Sequence, residues 1–119
     1  MADRRVLAPK PAPALSPATS RATLGYTSDT GPCEALEALA ATSRVLLAEC
    51  GFSEAPVDVG GAGHLWPDYI GSLARGTGLN RLILTHFAPD ADQPALVRAA
   101  SEAHGAMVWG AAIGETYEL

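Results

Sequence analysis

The chain has 119 residues, of which 48% are hydrophobic, and carries a formal net charge of −5. This length limits it to one domain with a small core. Four basic residues against Asp3 give residues 1–22 a local charge of +3, which leaves −8 for the remainder. Such an acidic body argues against general nucleic-acid binding, because phosphate neutralisation needs clustered lysine and arginine. No apolar run reaches membrane-spanning length, and two cysteines form no disulfide framework, so we expect a cytoplasmic protein without a membrane partner.

The first 22 residues are rich in proline and alanine. Prolines at positions 9, 11, 13 and 17 interrupt any helix or central strand. Alanine, serine and threonine fill the gaps between them and offer little apolar surface to bury. We therefore expect a disordered tail over residues 1–22 and a folded region over residues 23–119.

Short apolar runs recur along the folded region and predict strands. The predicted strands are about 23–28, 44–49, 81–85, Ala106–Trp109 and Glu115–Leu119. The second and third are apolar almost throughout, which is typical of strands that are covered on both faces. The last two are short, and we expect a hairpin around Gly110–Gly114.

Helical stripes separate these strands. The first predicted helix covers about 32–41, with Pro32 in its first turn. The second opens at Pro67 and is ended by Gly76 and Gly78, and the third is capped by Asp92 and stopped by Gly105. The resulting order, β-α-β-α-β-α-β-β, predicts an α/β fold with a largely parallel sheet and right-handed crossovers.

Polar residues end three of the predicted strands. Asp29, Glu49 and His86 follow or close their strands, and His64 precedes the second helix. Because the carboxyl ends of parallel strands meet at one edge of a sheet, we expect all four side chains to lie together. Open α/β sheets bind their ligands at this edge.

Each of these residues also has a purely structural interpretation. Asp29 could cap the first helix, since aspartate is a preferred cap. Glu49 could point to solvent, and His64 could be an ordinary loop histidine. His86 is the strongest functional candidate, because a histidine directly after a buried strand needs a partner for its ring nitrogens, and a metal ion is one such partner.

Three other residues of chemically active types fit structural roles. His104 lies at the far end of the third helix, on the opposite edge, and suits the helix dipole. Cys33 lies near a helix start, which lowers a thiol pKa, but no base is evident beside it, so we expect it to pack. Cys50 fits a core or loop position.

Four short segments resemble, in order and spacing, motifs of the metallo-β-lactamase fold. Tyr26–Pro32 is similar to its Ser-Gly-Asp-Thr motif, and Leu46–Phe52 to the His-Glu-Ala-Thr-Phe segment of its ribonuclease Z-like branch. Gly63–Leu65 is similar to the next histidine element, and Leu82–Phe87 to the closing Leu-Thr-His motif. The resemblance extends over the folded region and implies the carboxyl-terminal half of an αββα sandwich.

The resemblance also implies roles for the four edge residues. Asp29 would bridge two metal ions, usually zinc, and His86 would bind one of them. His64 would contact the scissile phosphate or assist proton transfer, and Glu49 would orient it. A bridged metal pair activates water and stabilises an in-line displacement. The complete domain would act on a small-molecule or RNA phosphodiester, or on an ester.

The chain departs from the family pattern in two ways. Ser28 replaces a glycine, Ala48 replaces the histidine before Glu49, and Cys50-Gly51 replaces Ala-Thr. The upstream His-x-His-x-Asp-His motif is absent, and the chain has three histidines in all. Catalytic zinc usually has three protein ligands plus water. We therefore expect a truncated product, a fragment or one half of a split protein, inactive alone.

Three hypotheses follow. The first is a truncated metal-dependent hydrolase. The second is a non-catalytic α/β module that forms a homo-oligomer or associates with a half-domain, because a missing sheet would leave an apolar face and an unpaired edge. The third is a self-contained site in which Asp29, His64 and His86 hold one metal ion as two histidines and a carboxylate.

Overall fold

Strands and helices alternate along the part of the chain that the computed structural model describes, residues 21–119. The elements are β1 (Ala22–Tyr26), α1 (Glu34–Ala41), β2 (Ser43–Glu49), α2 (Pro67–Thr77), β3 (Arg81–Thr85), α3 (Gln93–His104) and β4 (Trp109–Gly110). A single 3₁₀ turn, Val59–Gly61, interrupts the long loop between β2 and α2. Among the described residues, no helix is both long and apolar enough to cross a membrane.

The four strands form one parallel sheet in the order β1-β2-β3-β4. Gly25 pairs with Leu46, and Leu46 pairs with Leu82, so equivalent positions line up across the sheet. This confirms the predicted parallel arrangement of the first three strands. The carboxyl ends of the strands therefore lie at one edge of the sheet, and the candidate residues lie at that edge.

Local signals in the sequence set the bounds of the helices. Trp66 is the extended N-cap of α2, Pro67 occupies its first turn, and Gly78 ends it in the left-handed conformation. The Asp92 side chain accepts a hydrogen bond from the Ala95 N–H at the start of α3. Gly105, with φ of 81°, terminates this helix.

The apolar core lies between the sheet and the helices. It combines strand residues with helix residues: Leu36, Ala40, Leu46, Ala48, Leu82, Leu84, Ile70, Ala74 and Ala100. Gly71 allows α2 to approach α3 closely, because a Cβ at this position would lie 2.5 Å from the Ala100 carbonyl oxygen. The packed helices hold the strand ends, and hence the site, in fixed positions.

The opposite face of the sheet carries another apolar row. The register places Tyr26, Leu47, Ile83 and Trp109 side by side on this face. Tyr26 is 59% exposed, and Leu24, two residues earlier on the edge strand β1, is 46% exposed. The sheet therefore presents apolar side chains to solvent at its β1 edge.

The ends of the chain differ from the sequence-based predictions. The predicted tail, residues 1–22, lies outside the described residues except for Arg21 and Ala22. Ala22 opens β1, and Arg21 donates hydrogen bonds to the Ser43 and Thr77 carbonyl oxygens. The last two residues of the predicted tail are thus bound to the sheet and to α2.

The predicted terminal hairpin was wrong. Trp109–Gly110 pairs parallel with β3, and Glu115–Leu119 forms no strand. The Ala111 N–H continues toward β3 by donating to the Leu84 carbonyl oxygen. The chain then turns, and the Tyr117 hydroxyl, rather than backbone, donates to the Gly110 carbonyl oxygen. The described order is therefore β-α-β-α-β-α-β.

Candidate functional site

The four candidate residues form a continuous series of contacts at the carboxyl edge of the sheet. The Asp29 Oδ1 atom lies 3.3 Å from the His86 Nδ1 atom. The His86 and His64 rings stack with centroids 5.8 Å apart. The His64 Nδ1 atom in turn lies 2.6 Å from the Glu49 Oε1 atom. Two carboxylate–imidazole pairs therefore stand side by side.

Glu49, the last residue of β2, is buried and surrounded by donors. Its side chain is 1% exposed, which excludes the solvent-facing interpretation. Oε2 accepts the Gly51 N–H at 2.8 Å and the Leu65 N–H at 2.9 Å, while Oε1 accepts the Thr30 N–H at 3.3 Å and contacts His64. A carboxylate offers about four lone-pair sites, so these four contacts use its full capacity.

His64 is held in one orientation by three neighbours. An ionised carboxylate only accepts hydrogen bonds, so the proton in the contact with Glu49 belongs to the His64 Nδ1 atom. The Phe52 ring meets the imidazole edge to face, with centroids 5.1 Å apart. Gly51 leaves room for the ring, since a Cβ there would lie 2.6 Å from Nδ1. The lone pair of His64 therefore resides on Nε2.

Asp29 and His86 form the exposed half of the site. Their side chains are 62% and 53% exposed. Asp29 does not cap α1, because the N-cap is Cys33 and the helix begins at Glu34. The contact of Asp29 with His86 therefore favours a role at the site over a role as a helix cap.

The backbone is strained on both sides of this exposed pair. His86 has φ of 58° and Ser28, directly before Asp29, has φ of 56°. This left-handed region is uncommon for residues other than glycine, and such outliers cluster at functional sites. The left-handed conformation at Ser28 also explains why a glycine suits this position in the motif that it resembles.

Thr27 joins the two halves of the site. Its Oγ1 atom accepts the Glu49 N–H at 3.1 Å and donates to the Ser28 carbonyl oxygen at 2.7 Å. Sequence reasoning missed Thr27, Gly51 and Phe52 as supporting residues. For Gly51 a signal was present, since a glycine directly after a buried strand leaves space for a neighbouring side chain.

The other three residues of chemically active types do not belong to this cluster. His104 ends α3 and is buried, and its Nδ1 atom has no hydrogen-bond partner among residues 21–119. Cys50 is fully buried, and burial, with a smaller effect of the Glu49 charge, raises the pKa of its thiol to about 12, so it stays protonated. Cys33 is exposed, so the prediction that it packs was wrong.

The side chains at this edge offer ligand atoms that suit a metal ion such as zinc. Zinc is bound by imidazole nitrogen and carboxylate oxygen, and His64, His86 and Asp29 offer these atoms to solvent. One potential ligand atom each from Glu49, His64 and His86 lies within 4.8 Å of the others. Since the oxygens of Glu49 are already occupied by hydrogen-bond donors, the two imidazoles are the members of this group that remain available. The predicted ligand Asp29 is not one of the three, but it lies 3.3 Å from the His86 Nδ1 atom.

Comparison with known proteins bears on the fold. No family model matches the chain, and no curated protein matches it. Among solved structures, it is similar to the metallo-beta-lactamase fold protein YhfI from Bacillus subtilis, with 24% identity and a TM-score of 0.65. The match covers 74% of this chain. The chain has a partial metallo-β-lactamase fold.

The match also sets the extent of the similarity. The chain spans 36% of the YhfI chain, about a third of its length. At this level of identity the similarity concerns the fold alone. The expected αββα relationship is thus supported at the level of fold, and the ribonuclease Z-like branch remains a prediction.

Proposed function

We propose that this chain forms part of a metal-dependent hydrolase centre, with zinc as the metal and a phosphodiester or ester as the substrate. One observation carries the proposal: two carboxylate–imidazole pairs meet at the carboxyl edge of the sheet, in a fold shared with a metallo-β-lactamase fold protein. Asp29 and His86 are the proposed metal ligands. When bound, the metal supplies Lewis-acid activation of water and of the scissile bond.

Glu49 is proposed to orient His64 rather than to bind metal. Its four lone-pair sites are used by three backbone N–H groups and one imidazole. Metal binding would have to displace one of these buried hydrogen bonds. A buried carboxylate that fixes the tautomer of a histidine is a recurrent positioning device in metal sites.

His64 is proposed to contact the substrate phosphate or to carry a proton. Its Nδ1 proton is held by Glu49, so its Nε2 atom is the one available for exchange with a substrate or water. The side chain is 33% exposed, so part of the ring faces solvent. A positioned general acid or base contributes typically 10²–10⁴-fold to a rate.

The substrate class follows from charge. Outside residues 1–22 the chain carries −8, from four basic and twelve acidic residues. An RNA substrate needs several phosphate contacts from lysine or arginine. We therefore favour a small-molecule phosphodiester or ester over RNA.

Two proposed ligands do not complete a catalytic zinc site, which usually has three protein ligands and a water. In this proposal, further ligands come from outside residues 21–119 or from a partner. We therefore expect weak zinc binding and negligible hydrolysis by the purified chain alone.

A second candidate function is a non-catalytic module that associates with a partner. The observation that favours it is the apolar face of the sheet, where Leu24 and Tyr26 on the edge strand β1 are exposed. An unpaired edge next to exposed apolar side chains invites strand pairing or sheet packing. In this case the edge residues would be a relic of the fold or a structural metal site.

The test uses the full chain with zinc and a phosphodiester on the same sample. Calorimetry should show zinc binding that Asp29→Asn and His86→Gln weaken, with the exposed Asp90→Asn as the matched control. ³¹P NMR should then show zinc-dependent binding of dimethyl phosphate, lost in His86→Gln. Hydrolysis of bis-(p-nitrophenyl) phosphate should stay at background.

Each other outcome decides against part of the proposal. Zinc binding without any phosphodiester binding favours the non-catalytic module. No zinc binding overturns the metal centre. Micromolar or tighter zinc binding with turnover that Asp29→Asn and His86→Gln remove would show that the chain builds a complete active site alone.

A further inference from the structure

We infer that His64 binds the same metal ion as His86 through its Nε2 atom when this chain is on its own. The inference rests on the proposed metal centre and adds a ligand to it. The resemblance assigns His64 to the substrate or to proton transfer. The contacts of the described residues also suit His64 to bind the metal ion when no further ligands are supplied.

The first support is the spacing of the two imidazoles. Their centroids are 5.8 Å apart and their planes are inclined by 30°. With zinc–nitrogen bonds of about 2.0–2.1 Å, two imidazoles on one zinc ion have centroids roughly 5–6 Å apart. The centroid separation of His64 and His86 is therefore in the range expected of two imidazoles on one ion, and one potential ligand atom of each lies within 4.8 Å of the other.

The second support is the tautomer of His64. Metal-bound histidines almost always donate their other ring N–H to a carboxylate, a carbonyl or water. Here the Nδ1 atom of His64 contacts Glu49 at 2.6 Å, and that of His86 contacts Asp29 at 3.3 Å. His64 thus has the carboxylate partner of a metal ligand and leaves Nε2 free, while His86 lies beside the proposed ligand Asp29.

The third support is that the orientation of His64 is fixed before any ion arrives. The Glu49 oxygens cannot turn, since the Gly51 and Leu65 N–H groups hold Oε2. Phe52 and the absent Cβ of Gly51 define the space that the ring fills. A ligand whose rotamer is already set loses little conformational freedom when it binds a metal ion.

The ion should be zinc or another divalent metal that imidazole prefers, such as cobalt or nickel. Calcium and magnesium prefer oxygen ligands, and two imidazoles give them little. While His64 binds the metal ion, it cannot transfer a proton through Nε2. It would recover that role when further ligands replace it on the metal ion. The chain alone would then hold metal in a form that is not catalytically competent.

The test follows the imidazole nitrogens directly. Full-length, ¹⁵N-labelled chain is titrated with Zn²⁺, and long-range ¹H–¹⁵N spectra are recorded at each step. We expect the Nε2 resonance of His64 and one ring-nitrogen resonance of His86 to move to the position of metal-bound nitrogen at the same equivalence point. The resonances of His104, which is buried at the end of α3, should stay in place and serve as the internal control.

Variants provide a second, independent measurement. We expect His64→Gln and His86→Gln each to lower the affinity for Zn²⁺ by at least about tenfold. Co²⁺ should give absorption bands of a nitrogen-bound ion that weaken in both variants. Mg²⁺ should not compete. If His64→Gln unfolds the chain, the nitrogen resonances of the unmodified chain still decide the question.

The outcomes separate this inference from the proposed function. If zinc moves the His86 resonance alone and His64→Gln binds as tightly as the unmodified chain, the inference is overturned while the Asp29–His86 pair stands. If neither resonance moves at millimolar zinc, both are overturned.

Discussion

Replacing Glu49 by glutamine tests how firmly the buried carboxylate organises the site. Glutamine has the same shape, but it has one oxygen where four donors require two. With its oxygen facing the Gly51 and Leu65 N–H groups, its amide nitrogen faces the Thr30 N–H and the His64 Nδ1 atom. The His64 proton must then move to Nε2, so that Nδ1 can accept.

The expected cost can be assembled from these contacts. Hydrogen bonds to a charged group contribute about 1.5–3 kcal/mol each, against about 0.5–1.5 kcal/mol for neutral ones. Two retained bonds therefore lose about 1 kcal/mol each, and the Thr30 N–H loses its acceptor, at about 1–3 kcal/mol. Removing a buried charge returns part of this. We expect a net loss of about 3 kcal/mol in the free energy of unfolding.

The assay is thermal and urea unfolding followed by circular dichroism, with Glu54→Gln, an exposed loop glutamate, as the matched control. A loss of about 3 kcal/mol corresponds to roughly 10–20 °C in midpoint for a domain of this size. Nitrogen spectra should place the His64 proton on Nε2, and zinc affinity should fall. A loss below about 1 kcal/mol with the proton still on Nδ1 would refute the role of Glu49 as the anchor.

Three further changes test other parts of the structure. Ser28→Gly should stabilise the chain by up to about 1 kcal/mol in thermal unfolding. Relief of about 1–2 kcal/mol of left-handed strain exceeds the entropy cost of glycine. If the variant is less stable, Ser28 is not strained. Gly51→Ala should displace the His64 ring and break its contact with Glu49. This variant and Glu49→Gln should therefore lose similar amounts of zinc affinity. An unchanged His64 spectrum in Gly51→Ala would contradict the close approach of Gly51 to the His64 ring. The stability of the unmodified chain should fall between pH 9 and about pH 12, because the folded state retains the Cys50 proton after the unfolded state has released it. Cys50 should contribute up to about 1.4 kcal/mol per pH unit to this slope, so the slope should be smaller in Cys50→Ala, and equal slopes in both chains would rule out a contribution of Cys50.

Much of the fold could be predicted because its signals are local. The apolar runs of β2 and β3 and the stops at Gly78 and Gly105 placed these elements within one or two residues. The end of the chain could not be predicted in this way. Strand pairing of Glu115–Leu119 depends on a partner edge, which no local pattern specifies, and the Tyr117 hydroxyl takes the carbonyl that a hairpin would need.

For the site, sequence reasoning identified the edge but not its internal contacts. Parallel strands require Asp29, Glu49 and His86 to meet, and the structure places them so. Whether Glu49 faces solvent or the interior depends on the loop that returns as Leu65, sixteen residues later. Such a distant backbone donor has no signature in a single sequence. The roles of these residues remain predictions.

The backbone donors around Glu49 come from three segments of two loops, namely the β1–α1 loop and the two ends of the β2–α2 loop. Thr30 follows β1, Gly51 follows β2, and Leu65 precedes α2. Because the Glu49 carboxylate accepts a hydrogen bond from each segment, no segment can open without removing one donor from a buried charge. Local unfolding at this edge should therefore be cooperative, with the three segments opening as one unit rather than fraying one after another. A region of the sheet rim that would ordinarily be its most mobile part is thereby tied to the stability of β2.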